Sequence, residues 1–172
     1  HFTTNPDATN RVHQLGEEMW RIHQVGSPGI DALLQAQLLS RDQLEERLSW
    51  TFHRQNLLVT FHPATLQPDT GVAQVKALLS ALQSLTTDVG VLVTGTNADS
   101  EGSEISELLK AYCNQRHPHA IYVSSLGYVR YISTLAEVDA VVGNSSSGLY
   151  EAPSLGTATV DIGVRQAGRP RA

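Results

Sequence analysis

The residues best suited to chemistry lie at positions 143–153, which read Gly-Asn-Ser-Ser-Ser-Gly-Leu-Tyr-Glu-Ala-Pro. They follow an apolar run at 138–142 that predicts a short buried strand, and they precede a segment that can begin a helix. Hydroxyl side chains, free backbone N–H groups and the positive end of a helix dipole converge at such a turn, so it can hold a phosphate group. A plain helix N-cap is the alternative interpretation, because Ser and Asn are favoured there in any case.

The elements that would position this turn alternate regularly along the chain. Apolar runs predict buried strands at 56–62, 89–94, 120–123, 139–142 and 158–162. Helical spacing predicts helices at 70–85, 103–115 and 128–137, with a short helix after Ser147. Continuous apolar strands that alternate with helices are typical of an α/β protein with a parallel, doubly wound sheet.

The first part of the chain carries weaker signals. Residues 1–4 read as the end of a strand, 5–16 as a helix and 22–25 as a short strand. Residues 26–29 predict a turn or linker, because Gly and Pro interrupt regular elements. A helix is expected from Asp31, and another after Ser40, which can form a capping box with Gln43.

Polar or small residues follow each of the five predicted strands. They are His62-Pro63, then residues 94–99, 124–126, 144–147 and 163–165. Ligands of open α/β sheets bind outside the carboxyl ends of the strands, so these segments are expected to meet in one place. This convergence favours a phosphate-bearing ligand over a plain cap at 143–153.

Composition excludes several other classes of protein. The 172 residues carry a formal net charge of -5 without basic runs, which argues against nucleic acid as a partner. The single cysteine, Cys113, excludes an internal disulfide and is compatible with a reducing cytosol. No apolar run approaches the ~20 residues of a membrane helix, so no membrane partner is expected. Apart from His62, the histidines lack ligand spacing, and no metal site is expected.

Six segments resemble the UDP-N-acetylglucosamine 2-epimerases in order and spacing. They are Phe-His-Pro at 61–63, Asn-Ala-Asp at 97–99, Ser-Leu-Gly-Tyr at 125–128, Gly-Asn-Ser-Ser-Ser-Gly at 143–148, Glu-Ala-Pro-Ser at 151–154 and Gly-Val-Arg-Gln-Ala-Gly-Arg at 163–169. The Phe-His-Pro and Asn-Ser-Ser-Ser-Gly runs resemble the hydrolysing branch most closely. The turn at 26–31 is also similar to the interdomain linker of that family.

The resemblance implies two Rossmann-like domains that face a cleft, as in glycosyltransferase-B enzymes. On that basis, residues 1–27 are the last elements of the N-terminal Rossmann-like domain. Residues 28–172 are the C-terminal, UDP-binding Rossmann-like domain, with a truncated C-terminal end. The absence of an initiator Met and of a closing helix also favours a piece of a longer protein.

The implied reaction needs no metal and no cofactor. UDP is eliminated from UDP-N-acetylglucosamine to leave an unsaturated sugar, and water then adds to give N-acetylmannosamine, a precursor of sialic acid. By resemblance the enzyme is cytoplasmic, and at full length it is compatible with a homo-oligomer. The family takes its catalytic carboxylates from the first domain. We therefore expect this chain alone to bind UDP weakly and not to turn over.

The resemblance assigns roles to four residues with strong local signals. His62 corresponds to the active-site histidine, which contacts the UDP-sugar or assists proton transfer; a structural strand cap is the alternative. Ser145 and Ser146 donate hydrogen bonds to the diphosphate. Glu151 accepts the ribose hydroxyls, although a first-turn Glu is also favoured by the helix dipole.

Three further residues are expected at the nucleotide. Asn97 contacts the nucleotide unless it is only a turn residue, and a backbone group of Leu126 reads the edge of the uracil. Arg165 follows the last strand and can reach the phosphates with its planar fork of donors, although a solvated surface pair is the alternative.

Three other functions remain open on the sequence. A non-hydrolysing epimerase would interconvert the two UDP-sugars without releasing UDP. A nucleotide-sugar glycosyltransferase of the same architecture would require an acceptor. A non-catalytic nucleotide-binding module would bind UDP and perform no chemistry.

Overall fold

The computed structural model describes residues 1–63, 71–96 and 102–170. The contacts between residues divide the chain into two compact units, His1–Ala36 and Gln37–Ala172. The predicted boundary falls after residue 27, and the difference is one helix, Pro28–Gln35, which is grouped with the first unit. Within the described residues, none of the helices is both long enough and apolar enough to cross a bilayer.

The first unit contains two short parallel strands, which pair with each other, and three helical segments. They are β1 (Phe2–Thr3), α1 (Pro6–Gln14), a 3-10 turn (Met19–Arg21), β2 (His23–Gln24) and α2 (Pro28–Gln35). Asn5 caps α1, since its Oδ1 accepts a hydrogen bond of 2.8 Å from the Ala8 N–H. The prediction of a turn or linker throughout 26–29 is wrong at its second half, where Pro28 begins α2. Proline suits that first helical position because its φ is fixed and its N–H is not needed there.

The second unit alternates helices and strands as the periodicity predicts. Its elements are α3 (Arg41–Leu48), β3 (Gln55–Thr60), α4 (Gly71–Gln83), β4 (Val89–Thr94), α5 (Gly102–Gln115), β5 (Ala120–Val123), α6 (Gly127–Glu137), β6 (Ala140–Gly143), α7 (Glu151–Ser154) and β7 (Ala158–Asp161). The capping box of Ser40 and Gln43 is confirmed at the start of α3. A 3-10 turn (Ser146–Gly148) precedes the four-residue α7, where a single short helix was expected.

The five strands of the second unit form one parallel sheet in the order β5-β4-β3-β6-β7. The chain runs outward in one direction from β3 to β5 and in the other direction from β6 to β7. The order therefore reverses between β3 and β6, which is the topological switch point of a doubly wound fold. Thr60 pairs with Gly143 in this register, so the ends of β3 and β6 lie side by side. The predicted α/β, doubly wound, Rossmann-like fold is confirmed.

The core lies on both faces of this sheet. Alternate residues of a strand point to opposite faces, and the central strands β3 and β4 are apolar on both. Val59, Val91 and Val93 pack in the cluster that contains α4 and α5. Leu58 and Leu92 pack on the other face with residues of α3 and α6. Because β3 and β4 are packed on both faces, their carboxyl ends are held in place by the core.

Gly143 permits the close approach of β6 to β3. Its φ is +146°, and a Cβ added there would collide with the carbonyl oxygen of Thr60. Gly156 shares the positive φ, at +76°, but a Cβ there would meet nothing within 4 Å. Ala at position 156 would therefore meet the strain of a positive φ alone, whereas Ala at position 143 would meet a positive φ and a steric clash.

We predict that Gly143→Ala destabilises the protein more than Gly156→Ala does. The matched Gly156→Ala variant should lose about 1–2 kcal/mol, because the backbone conformation disfavours a side chain. Gly143→Ala should lose about 1–3 kcal/mol more, since the strand ends must also move apart. Chemical denaturation of both variants measures the difference, and equal losses would show that the approach of β6 to Thr60 imposes no constraint.

Candidate functional site

A cleft of about 400 Å³ opens at the carboxyl end of the sheet. Residues after β3, β4, β5 and β6 line it together with the first turns of α6 and α7. They are Thr60, His62, Thr94, Gly95, residues 124–128, Tyr131, residues 145–147 and Glu151. The cleft thus lies at the switch point, where ligands of open α/β sheets bind.

Asn144 holds the loops after β3 and β6 together. Its Oδ1 accepts a hydrogen bond of 2.8 Å from the His62 N–H, and its Nδ2 donates one of 2.7 Å to the His62 carbonyl. Its own backbone N–H donates to the Thr60 carbonyl at 3.1 Å. Asn144 is 2% exposed, so water cannot compete for these bonds. The backbone of His62 is consequently fixed at the edge of the cleft.

The segment after β7 braces the same asparagine from its other side. The Asn144 carbonyl accepts hydrogen bonds from Gln166 Nε2 at 2.7 Å and from Arg165 Nη1 at 3.1 Å. Gln166 is buried and Arg165 is half-buried. Arg165 is predicted to contact the phosphates. In the structure it donates a hydrogen bond to the backbone of the turn and does not line the cleft.

The serine turn combines capping with an open donor. Ser145 Oγ accepts a hydrogen bond of 3.3 Å from the Ser147 N–H and so caps the 3-10 turn. A hydroxyl that accepts still has its own hydrogen to donate. Ser145 and Ser146 are half-buried and both line the cleft. The capping interpretation and the anion-binding interpretation therefore apply to the same side chain.

Three buried polar atoms form the floor of the cleft. Tyr131 Oη, Ser147 Oγ and Glu151 Oε2 make no hydrogen bond of standard geometry within the part of the chain that the structure describes. The hydroxyls of Ser147, Thr60 and Ser145 nevertheless lie close enough to the Tyr131 phenol to act on its pKa as weak hydrogen-bond partners. Burial, the largest cause, raises the pKa of the Tyr131 phenol. The Ser147 hydroxyl opposes that rise and the Glu151 carboxylate adds to it. These three residues come from α6, the serine turn and α7.

Two threonines join the ends of the central strands beside this floor. The hydroxyls of Thr60 and Thr94 lie 2.7 Å apart, and both residues are buried. The Thr94 hydroxyl also contacts the Val59 carbonyl at 3.4 Å. The pair links β3 to β4 where the cleft begins.

The remaining predicted residues occupy different kinds of position. His62 and Leu126 line the cleft. The side chain of Leu126 is in the core, and its carbonyl accepts a hydrogen bond of 2.7 Å from Arg130 Nε. Asn97 and Asp99 lie outside the described residues. Within residues 1–63, 71–96 and 102–170, no group of three or more His, Cys, Asp or Glu side chains is placed to hold a metal ion.

Sequence reasoning missed Asn144, Gln166 and Tyr131 as individual parts of the site. Tyr131 had a usable signal, because it lies one helical turn after Gly127 and so on the face that starts at the end of β5. The strand-end rule places Asn144 near His62 but does not predict the hydrogen bonds between them, since the two residues are 82 positions apart. Gln166 had no signal, since its partner is 22 residues away in the chain.

The chain matches one family model and several characterised relatives over nearly its whole length. The model of UDP-N-acetylglucosamine 2-epimerase matches residues 1–172. The GDP/UDP-N,N'-diacetylbacillosamine 2-epimerase (hydrolyzing) of Campylobacter jejuni is 34% identical over 99% of this chain and 44% of its own length. The polysialic acid biosynthesis protein P7 of Escherichia coli is 33% identical over 99% of this chain and 43% of its own length. The UDP-N-acetylglucosamine 2-epimerase of Neisseria meningitidis is 30% identical over 98% and 43%.

Solved structures share the fold at low sequence identity. The UDP-GlcNAc 2-epimerase of Neisseria meningitidis bound to UDP-GlcNAc has a TM-score of 0.75 and 13% identity, over 94% of this chain and 43% of that protein. MnaA of S. aureus, solved with UDP, has a TM-score of 0.71 and 13% identity, over 95% and 42%. The fold is therefore that of the glycosyltransferase-B-like epimerases, and the chain spans less than half the length of the relatives it matches. With a family model that covers every residue, the chain belongs to the UDP-N-acetylglucosamine 2-epimerase family.

Proposed function

We propose that this chain is the UDP-binding part of a hydrolysing UDP-N-acetylglucosamine 2-epimerase. The observation that carries the proposal is the meeting of three groups in one cleft at the switch point: a capped serine turn, the Glu151 carboxylate with one buried oxygen, and His62, whose backbone is hydrogen-bonded to Asn144. The hydrolysing branch is supported by the names of the relatives from Campylobacter jejuni and Legionella pneumophila, at 34% and 30% identity.

The cleft offers separate sites for the anionic and the hydroxyl groups of UDP. Ser145 and Ser146 would donate to the diphosphate together with backbone amides of the turn. Glu151 carries a buried, unpartnered oxygen within the described residues, and it would accept hydrogen bonds from the ribose. A carboxylate repels phosphate, so UDP must bind with its ribose, and not its phosphates, toward Glu151.

His62 is the residue that we propose as catalytic. Asn144 is hydrogen-bonded to both the backbone N–H and the carbonyl of His62, so the point from which the side chain enters the cleft is fixed. An imidazole can donate a proton to a leaving phosphate oxygen near neutral pH. This role requires the β-phosphate to lie between the serine turn and the end of β3.

Three residues complete the proposed nucleotide site. Leu126 would present a backbone group to the uracil at the end of β5. Arg165 donates one hydrogen bond to the Asn144 carbonyl, and a further N–H of its guanidinium would donate to the phosphates. Asn97 would contact the nucleotide from the loop after β4.

We further propose that residues 1–27 are the last elements of the N-terminal Rossmann-like domain and that 28–172 belong to the C-terminal one. Large apolar side chains of residues 1–27 are exposed, including Phe2, Leu15, Met19 and Trp20. A parallel sheet of two short strands is not stable in isolation, because parallel strands need both faces covered. Both facts favour a larger domain of which this unit is a part.

The proposed chemistry divides between the two domains. Elimination removes the proton on C2 of the sugar while the bond to UDP breaks, and water then adds to the double bond to give N-acetylmannosamine. A base must therefore face the sugar ring. Among the described residues, Glu151 is the one carboxylate that lines the cleft, and we assign it to the ribose. The catalytic carboxylates would come from the other domain.

The UDP site is tested by calorimetric titration of UDP into this chain. Ser145→Ala and Glu151→Ala should each weaken binding about tenfold to a hundredfold, as expected for one hydrogen bond to a charged group. Ser84→Ala and Glu107→Ala are matched controls, because both residues are exposed and outside the cleft. Unchanged binding by Ser145→Ala and Glu151→Ala would overturn the site assignment.

The reaction is tested by NMR of the full-length protein with UDP-N-acetylglucosamine. We expect free UDP and N-acetylmannosamine, formed at the same rate with and without a metal chelator. Interconversion of two UDP-sugars without UDP release would instead indicate the non-hydrolysing reaction. UDP release by the 172-residue chain alone, at an enzyme-like rate, would contradict the division of the chemistry between domains.

A further inference from the structure

The floor of the cleft holds an unsatisfied polar group from each of three elements. Tyr131 Oη, Ser147 Oγ and Glu151 Oε2 are all buried, and none makes a hydrogen bond of standard geometry among the described residues, although the hydroxyls of Ser147, Thr60 and Ser145 are weak partners beside the phenol. Buried polar groups in native proteins are nearly always hydrogen-bonded, because leaving one unpaired is costly. Three such atoms at the base of one cleft indicate a place where a ligand completes the bonding.

The polarity of these atoms restricts what the ligand can be. A carboxylate oxygen only accepts hydrogen bonds. Burial and the negative charge of Glu151 raise the pKa of the Tyr131 phenol, so the phenol keeps its hydrogen at neutral pH and donates. A single group that donates to Glu151 and accepts from Tyr131 must both donate and accept, and among the parts of a nucleotide a sugar hydroxyl does both. A phosphate oxygen only accepts and would be repelled by Glu151.

We propose that Tyr131 is a specificity-determining residue that donates a hydrogen bond to one ribose hydroxyl of the bound nucleotide, while that hydroxyl donates to Glu151. The inference rests on the proposed UDP site and adds a second contact to it. Ser147, whose hydroxyl faces the same space, supplies a further partner on the serine turn. The site would thereby distinguish ribose from deoxyribose, because a missing hydroxyl leaves both Tyr131 and Glu151 unpaired.

The stability of the variants separates a binding role from a structural one. The Tyr131 hydroxyl makes no hydrogen bond of standard geometry among the described residues and has the hydroxyls of Ser147, Thr60 and Ser145 only as weak partners, so Tyr131→Phe should change the Tm little. Tyr112→Phe is the matched control, since Tyr112 is a buried tyrosine whose Oη lies 3.4 Å from the Leu82 carbonyl. Tyr112→Phe should not change the affinity for the nucleotide.

The test compares the affinities of UDP, 2′-deoxy-UDP and 3′-deoxy-UDP for the wild-type chain, Tyr131→Phe and Tyr112→Phe. Tyr131→Phe should weaken UDP about tenfold, as for the loss of one hydrogen bond in a buried site. It should change the affinity of one deoxy analogue, the one without the contacted hydroxyl, by less than twofold. For the wild-type chain, that same analogue should bind at least tenfold more weakly than UDP.

Two results would overturn the inference. Equal weakening of all three nucleotides by Tyr131→Phe would place the phenol at the phosphates or give it a packing role. No weakening of UDP would show that the phenol does not contact the ligand. Failure of the wild-type chain to bind UDP would instead contradict the proposed function itself, so the two failures are distinguishable.

Discussion

The double hydrogen bond between Asn144 and the backbone of His62 is the interaction on which the cleft depends. It joins two loops that are 82 residues apart in the chain and that follow neighbouring strands. Gly143 lets those strands approach, because a side chain there would strike Thr60. Arg165 and Gln166 then bond the carbonyl of the same asparagine from behind. The polar groups of Asn144 are thus bonded to β3 on one side and to the segment after β7 on the other.

The cleft combines a frame, which is Asn144 with its hydrogen bonds to the neighbouring loops, and a floor of buried polar atoms that lack such bonds. Asn144 is buried, and both its side chain and its backbone are hydrogen-bonded, whereas Tyr131, Ser147 and Glu151 hold buried atoms without a hydrogen bond of standard geometry among the described residues. Unpaired buried groups reduce stability, so their retention at one cleft is understandable if a ligand binds them. The frame fixes where the ligand lies, and the floor determines which chemical groups of the ligand are accepted.

Much of the fold was predictable because it depends on local patterns. The strands of the second unit have apolar runs that are buried on both faces, and the capping box at Ser40 is visible in four residues. The serine turn was recognisable for the same reason, since a strand, small hydroxyl residues and a helix start follow one another directly. The start of α2 at Pro28 is not predicted by the rule that Pro and Gly interrupt regular elements, although Pro is well suited to the first position of a helix.

The supporting contacts of the site were not predictable from local patterns. The roles of Asn144 and Gln166 depend on which strands become neighbours and on their register, and neither is encoded within a few residues. The floor is not predictable for a related reason. Nothing in the sequence of α6 marks Tyr131 as part of a site until the serine turn and α7 are placed against it. The roles of Asn97, Arg165 and the other nucleotide contacts rest on resemblance and remain predictions.

The most direct test of this account is the UDP affinity of Asn144→Ala, measured by calorimetry beside the exposed control Asn114→Ala. Asn144 does not line the cleft, so a change in affinity must act through the loops that it joins. We predict that Asn144→Ala remains folded, with a lower Tm, and binds UDP at least tenfold more weakly, while Asn114→Ala binds normally. A folded Asn144→Ala variant with the affinity of the wild-type chain would contradict the claim that the hydrogen bonds between Asn144 and the His62 backbone assemble the site.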